Sequence, residues 1–315
     1  MKFLTILPGM NFPKALFAYE NLPIEKWEKE DFEKRKLEVS VLRLDLIHPL
    51  IQGNKWLKLR PFLENCFHQN AEGFVSMGGP FSNHLMALAA AGQEMKKSCL
   101  FWIRGEKQEW MANPAAKKMI KMGAQLFPLS RNEFRELHPK REIPLPAGSK
   151  GYWITVPMGG TDAAAFEELK KFGEMLNHLD FEILALPAAT GGTASGISLG
   201  LDKEKTMLVA EVLRSKGGLQ AEFQNQHPNV ECKIDWQSGF HFGGYAKSSP
   251  LLRSFCREES HKNRFQLEPI YSGKCFYAVL DLAKKGHFQE GNRILILHTG
   301  GIFPWNLQLL ARDLE

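Results

Sequence analysis

Lys55 sits in the run Gly53-Asn54-Lys55, a primary amine beside a glycine and an amide. Twenty-odd residues on, the chain reads Gly78-Gly79-Pro80-Phe81-Ser82-Asn83-His84, a polar triplet that opens an apolar helical pattern. Far downstream, Thr190-Gly191-Gly192-Thr193-Ala194-Ser195-Gly196 follows a short apolar run. Glycines at 191 and 192 let the backbone turn tightly and approach an anion, and the helix start that follows adds its positive dipole end. Hydroxyls at Thr190, Thr193 and Ser195 add further donors. An amine able to form a Schiff base and a turn able to wrap a phosphate are together what an enzyme needs to hold pyridoxal phosphate.

Each motif has a plain reading by itself. An isolated lysine among Lys58 and Arg60 is usually solvated. Ser82 and Asn83 are good helix-capping residues, and His84 fits a satisfied core histidine. The glycine turn matches neither a G-x-x-x-x-G-K-[ST] loop nor a G-x-G-x-x-G fingerprint, so as a lone feature it stands between a phosphate site and a simple strand-to-helix turn. The joint occurrence of the motifs, in order, is what carries weight.

The elements that must position these residues alternate between short apolar runs and helical patterns. Strands are predicted over 39–47, 74–77, 99–103, 152–156, 183–186, 208–213 and 294–297, and helices over 56–68, 85–95, 114–122, 166–179 and 274–284. Strands too apolar to have a wet face argue for parallel sheets covered on both sides, an α/β fold. Prolines 139, 144 and 146 with Gly148-Ser149 interrupt the pattern between about 128 and 150, which reads as a surface excursion near a lobe boundary.

At 315 residues the chain can bury a large core, and 44% hydrophobic with 24% charged residues is ordinary for a soluble globular protein. The net charge of +5 is small and the basic residues are dispersed, which argues against a nucleic-acid partner. Five widely spaced cysteines without a C-x-x-C pair argue against a disulfide framework or a structural metal and for a reducing, cytoplasmic setting. The apolar start at Met1–Leu7 is interrupted by Pro8 with no cleavage site after it, and no later run is long enough to span a membrane.

With these residues in place, the sequence resembles the 1-aminocyclopropane-1-carboxylate deaminase and D-cysteine desulfhydrase family, within the tryptophan-synthase-β-like (fold type II) pyridoxal phosphate enzymes. The resemblance runs from about Val41 to Pro304. Its ordered matches are Arg43-Leu44-Asp45-Leu46, Gly53-Asn54-Lys55, Ser82-Asn83-His84, the Thr190–Gly196 turn, Gly243-Gly244-Tyr245, Glu268 through Lys274, and His298-Thr299-Gly300-Gly301. It implies two lobes with mostly parallel sheets and the cofactor at their interface. Residues 1–60 and 165–315 would form the large domain and 61–164 the small one. It also implies a homodimer acting on a small amino acid.

The same resemblance implies the roles. Lys55 takes the cofactor aldehyde and later moves the Cα proton. Asn83 bonds the cofactor's ring hydroxyl, and the backbone of Thr190, Gly191, Gly192, Thr193 and Ala194 grips its phosphate. Ser82 and His84 meet the substrate. Tyr271 packs on the ring, with the Tyr245 and Tyr271 phenols at the substrate, where a positive neighbour would be needed to make either a base. Ser272 stands where the deaminase branch has a glutamate and the desulfhydrase branch a threonine. A neutral hydroxyl there implies a weaker electron sink, suited to β-elimination from D-cysteine and not to opening a cyclopropane.

Phe81 replaces the usual glutamine, and Leu85-Met86-Ala87 a more polar stretch, both implying a greasier entrance. The alternatives are a deaminase for another small amino acid, a non-catalytic cofactor carrier and, last, a nucleotide-binding module.

Overall fold

Unbroken runs of Val, Ile, Leu, Ala and Phe bury both faces of most strands, so helices must cover both sides of each sheet. The computed structural model describes residues 22–137, 143–215, 218–226 and 229–311. The Met1–Leu7 start and Pro139 lie outside them. The strands are β1 (Ile24–Lys26), β2 (Glu38–Leu42), β3 (Gly73–Gly78), β4 (Ser98–Arg104), β5 (Ala124–Leu129), β6 (Trp153–Thr155), β7 (Ile183–Ala188), β8 (Thr206–Glu211), β9 (Lys233–Gln237) and β10 (Arg293–Leu297). They form a four-stranded sheet, β5-β4-β3-β6, and a six-stranded one, β1-β2-β10-β7-β8-β9. Every pairing is parallel except β1 with β2. The α/β class with mostly parallel sheets is what the apolar strands predicted.

The chain divides into two units, residues 48–168 and residues 22–47 with 169–311 of those described. The expected boundary at residue 60 falls inside the helix Asn54–His68, which continues through it. The division instead precedes that helix, so Lys55 belongs to the same unit as Ser82.

In the 48–168 unit, β3 is central and buried at every position. It leads directly to the turn before Ser82. The stretch expected as a surface excursion starts as structure: Pro128 lies in β5, an edge strand, where a missing N–H costs no ladder bond on the open side. A helix, Arg131–Leu137, follows and buries Phe134. The observed unit boundary, at residue 168, is well removed from this stretch.

In the other unit the last strand, β10, inserts between β2 and β7, so that Ile296 pairs with Val41 on one side and Ala185 on the other. The strand expected over 39–47 ends at Leu42, where Arg43 leaves the extended region and a short 3-10 turn takes over. Trp27 anchors the core beneath the sheet, packing against Phe32, Phe255, Phe265 and Phe276. Its indole N–H donates to the buried Glu259 at 2.7 Å, and the same carboxylate takes Lys29 Nζ at 2.5 Å and Asn263 Nδ2 at 3.1 Å. No helix among the described residues is long and apolar enough to cross a membrane, and all five cysteines are free and buried.

Glu259→Ala strands the indole N–H and the Lys29 ammonium together. Urea unfolding should show a loss of roughly 2–4 kcal/mol, and a loss below about 0.5 kcal/mol would mean that the carboxylate is not their anchor.

Candidate active site

Lys55 owes its place to Gly53, whose φ of 60° and ψ of −139° suit glycine alone. That turn starts the helix Asn54–His68, putting Lys55 at its second residue and Lys58 one turn further along the same face. Lys58 is buried, and Lys55 is half-buried beside it. Burial brings the Lys55 amine down to about 8. Burial and then the charge of Lys55 hold Lys58 well below the usual lysine range. Lys58 Nζ donates to Thr161 Oγ1 at 2.7 Å. Among the described residues no carboxylate lowers the cost of either ammonium.

Ser82 caps the helix Asn83–Met95, its Oγ accepting from Leu85 N at 3.3 Å. The cap uses a lone pair and leaves the hydroxyl proton for another partner. Asn83 is the first helical residue, half-buried beside it. His84 is 2% exposed. Its Nε2 meets Ser76 Oγ at 2.9 Å, and Ser76 Oγ in turn donates to Val156 O at 2.8 Å. Burial first, then Lys55 and Lys58, push the imidazole down to about 3, so it is neutral at any ordinary pH.

Gly160 (φ 69°) passes close by: a Cβ there would lie 3.4 Å from His84 Nδ1 and 3.5 Å from Lys58 Cβ. Phe81 is 48% exposed, but Leu85, Met86 and Ala87 are buried in the core. The apolar change at 85–87 therefore reflects packing, and the greasier entrance reduces to Phe81.

In the other unit β7 runs into the glycine turn. Thr190 is exposed, Gly191 adopts the left-handed conformation (φ 75°), and the helix Gly192–Ser198 starts with no side chain capping it. Helix starts leave N–H groups without helical acceptors, and here those of Gly192, Thr193 and Ala194 are in the first turn. Gly196 has a different job, since a Cβ there would strike Leu169 Cβ at 2.4 Å.

Tyr271 leads into the helix Ser272–Lys284 and meets Tyr245 edge-on, ring centroids 6.2 Å apart. Burial, then Tyr245, push the Tyr271 phenol well above its usual range. No cation offsets this, so Tyr271 is a hydrogen-bond donor and not a ready base. Ser272 is buried, and its hydroxyl donates to Glu268 Oε1 at 3.0 Å. Glu268 also accepts from the backbone N–H groups of Ile270, Tyr271 and Ser272 at 2.6, 2.9 and 2.6 Å.

Lys274 is buried and donates to three carbonyls, Val212 at 3.2 Å, His241 at 2.8 Å and Gly244 at 2.9 Å. It thereby holds the turn that presents Tyr245, itself 50% exposed. His298 is committed to Gln266 O at 2.8 Å, and Gly300 and Gly301 have φ of 80° and 87°, so that segment is a tight turn. Arg43 and Asp45 pair with each other through two hydrogen bonds of 2.9 and 2.8 Å and are structural.

Within the first unit the predicted Lys55, Ser82, Asn83 and His84 are joined by three residues that pattern reading did not nominate: Lys58, Ser76 and Gly160. The i, i+3 spacing of Lys55 and Lys58 among the apolar Trp56, Leu57 and Leu59 and the doubled Gly159-Gly160 were the available signals. The second unit holds Thr190–Ala194, Tyr245, Tyr271 and Ser272, with Glu268 and Lys274 as supports not nominated. In the first unit, an amine brought down to about 8 suits a group that bonds an aldehyde; in the second, an uncapped glycine turn at a helix start suits a group that accepts from backbone N–H, such as a phosphate.

No family model matches the chain. It is 26% identical over 281 residues to a Pyrococcus horikoshii protein provisionally named 1-aminocyclopropane-1-carboxylate deaminase, covering 84% of this chain and 85% of that one. It is 24% identical over 330 residues to an Arabidopsis thaliana protein named bifunctional D-cysteine desulfhydrase/1-aminocyclopropane-1-carboxylate deaminase, covering 92% and 79%. Among solved structures, a homologue of 1-aminocyclopropane-1-carboxylate deaminase superposes with a TM-score of 0.69 at 23% identity, over 95% of this chain and 99% of its own. A hydrogen sulfide-producing enzyme from Fusobacterium nucleatum superposes with a TM-score of 0.64 at 16% identity, over 91% and 97%. The fold is that of the fold type II enzymes.

A lysine folded with its pKa near 8 and unfolded near 10.5 destabilises fully below pH 8, and that cost fades as pH rises toward 10.5. Lys55→Met should therefore stabilise the cofactor-free protein at pH 7 by on the order of 1–3 kcal/mol, less at pH 9.5, as read by urea unfolding. A pH-independent effect would show that the amine is not held out of water.

Proposed function

We infer that this chain, which resembles the 1-aminocyclopropane-1-carboxylate deaminase and D-cysteine desulfhydrase family along 84% of its length, is a pyridoxal phosphate-dependent enzyme acting on a small amino acid. The reaction proposed is α,β-elimination from D-cysteine, which with one water gives pyruvate, ammonia and hydrogen sulfide. The observation that carries it is Lys55: a half-buried amine, unpaired with any carboxylate among the described residues, whose pKa of about 8 leaves a usable fraction neutral near pH 7.

The cofactor, held by Lys55 at its aldehyde, would supply the electron sink that makes the Cα proton removable. The protein's own residues do the rest. The Lys55 amine, when free, would take the Cα proton at Nζ. Ser82 keeps its hydroxyl proton free of the cap and offers it to the substrate carboxylate. Asn83 would bond the ring hydroxyl, and the backbone from Thr190 to Ala194 would hold the phosphate. Tyr271, held protonated by burial, donates and does not abstract.

Ser272 favours elimination over cyclopropane opening. Its hydroxyl proton is engaged by Glu268, so it contributes no charge of its own to the ring, and a good leaving group at Cβ removes the need for a long-lived carbanion.

The test is keto-acid release by the loaded protein offered D-cysteine, L-cysteine and 1-aminocyclopropane-1-carboxylate side by side. Pyruvate from D-cysteine alone is expected. Appreciable 2-oxobutyrate would overturn the argument from Ser272, and cofactor binding without keto acid from any amino acid would favour a carrier. Lys55→Ala should cut turnover by at least about a thousandfold with the far-UV spectrum unchanged; an active variant would remove Lys55 from the mechanism.

A further inference from the structure

We infer that His48 is the positioning residue for Lys55. Its imidazole holds the loop 48–53 that starts the lysine's helix, and ties that loop to the far end of the helix that Asn83 and His84 begin. What Lys55 does rests on the function proposed above; that His48 places it does not.

Residues 48–53 belong to no strand or helix, so their backbone N–H groups need partners of another kind. His48 serves two of them. Its Nδ1 lies 3.1 Å from Leu50 N and 2.8 Å from Ile51 N, and a backbone N–H can only donate. Nδ1 is therefore the acceptor, and the ring proton sits on Nε2, which donates to Glu94 Oε1 at 2.9 Å. Burial holds the imidazole below its ordinary pKa, with Glu94 opposing, and the neutral form is the one these bonds require. The ring is 4% exposed and lies within 17° of parallel to the indole of Trp56, centroids 6.4 Å apart.

From these bonds to the lysine is a short step along the chain. Ile51 is fully buried and fixed at its N–H. Gln52 Nε2 closes the loop on Pro49 O at 3.0 Å, and Gln52 O accepts from Lys55 N at 3.3 Å. Gly53 O accepts from Trp56 N at 3.1 Å, which opens the helix Asn54–His68. On the other side, Glu94 is the penultimate residue of the helix Asn83–Met95. One ring thus sets the start of the Lys55 helix against the helix that carries Asn83 and His84. A neutral imidazole suits both tasks, since it offers on one rigid frame an acceptor beside Cγ and a donor across from it.

Three variants separate the two bonds. His48→Asn keeps an acceptor where Nδ1 was and so keeps the loop. His48→Gln sets an amide N–H near the place of Nε2 and keeps only the bond to Glu94. His48→Phe keeps only the flat ring beside Trp56. The readout is acetic anhydride labelling of Lys55 in the cofactor-free protein, followed against pH by mass spectrometry. Lys274, buried in the other unit with its amine also down to about 8, is the reference.

Wild type and His48→Asn should label Lys55 with a midpoint near 8. His48→Phe and His48→Gln should raise that midpoint by about one pH unit or more as the amine regains water, with Lys274 unmoved. On the loaded protein the same two variants should lose about tenfold in kcat with KM little changed. The same Lys55 midpoint in all four proteins would overturn the positioning role. A shift shared by Lys274 would do so too, because it would mark a general loosening. If His48→Phe does not fold, His48→Asn against His48→Gln still decides, and equal midpoints overturn the inference. A wild type that releases no keto acid would sink the proposed function and leave the labelling result standing.

Discussion

Two lysine amines one helical turn apart, Lys58 buried and Lys55 half-buried, neither paired with a carboxylate among the described residues, govern the 48–168 unit. Removing an ion from water costs several kcal/mol even after relaxation. Burial lowers the proton affinity of both, and Lys55 lowers that of Lys58 further. The surrounding apolar core must support that cost, and β3, buried along its whole length, supplies much of it. Such an arrangement costs stability in the ligand-free chain. His84 is kept neutral by its own burial first, and then by the same two lysines.

The other unit handles its buried ions in the opposite way. Glu268 is matched by three backbone N–H groups and a hydroxyl, and Lys274 by three carbonyls. Each has about as many partners as it has lone pairs or protons. These groups are structural: one shapes the turn before Tyr271, the other the turn that carries Tyr245. Comparing the units separates scaffold from working parts by a single criterion, whether a buried polar group has used up its bonding capacity.

The fold was legible because strands such as 183–188 and 293–297 are apolar on both faces, a pattern that parallel sheets require. β5 was hidden by Pro128, which is tolerated only because the strand lies at an edge. β9, with no fully buried residue, lacked the apolar signal altogether. At the site, Lys55 and the Ser82–His84 triplet announced themselves through neighbouring glycines and a cap. Ser76, Gly160 and Lys274 could not, because their importance lies in partners 80, 76 and 30 positions away. The same limit made Leu85–Ala87 look like an entrance: sequence gives their polarity but not which way the helix faces.

Hydroxyl protons draw the finest distinction between these residues. Ser82 and Ser272 both sit at helix starts, and in sequence both pass for caps. Ser82 spends a lone pair on Leu85 N and keeps its proton. Ser272 gives its proton to Glu268 and, through Oγ, faces its surroundings chiefly as an acceptor. Ser76 gives its proton to Val156 and thereby fixes a neighbour's tautomer. Three residues of one type therefore present a donor, an acceptor and a tautomer lock. Which of them can offer its own proton follows from where the fixed partners lie, and on that ground it is Ser82.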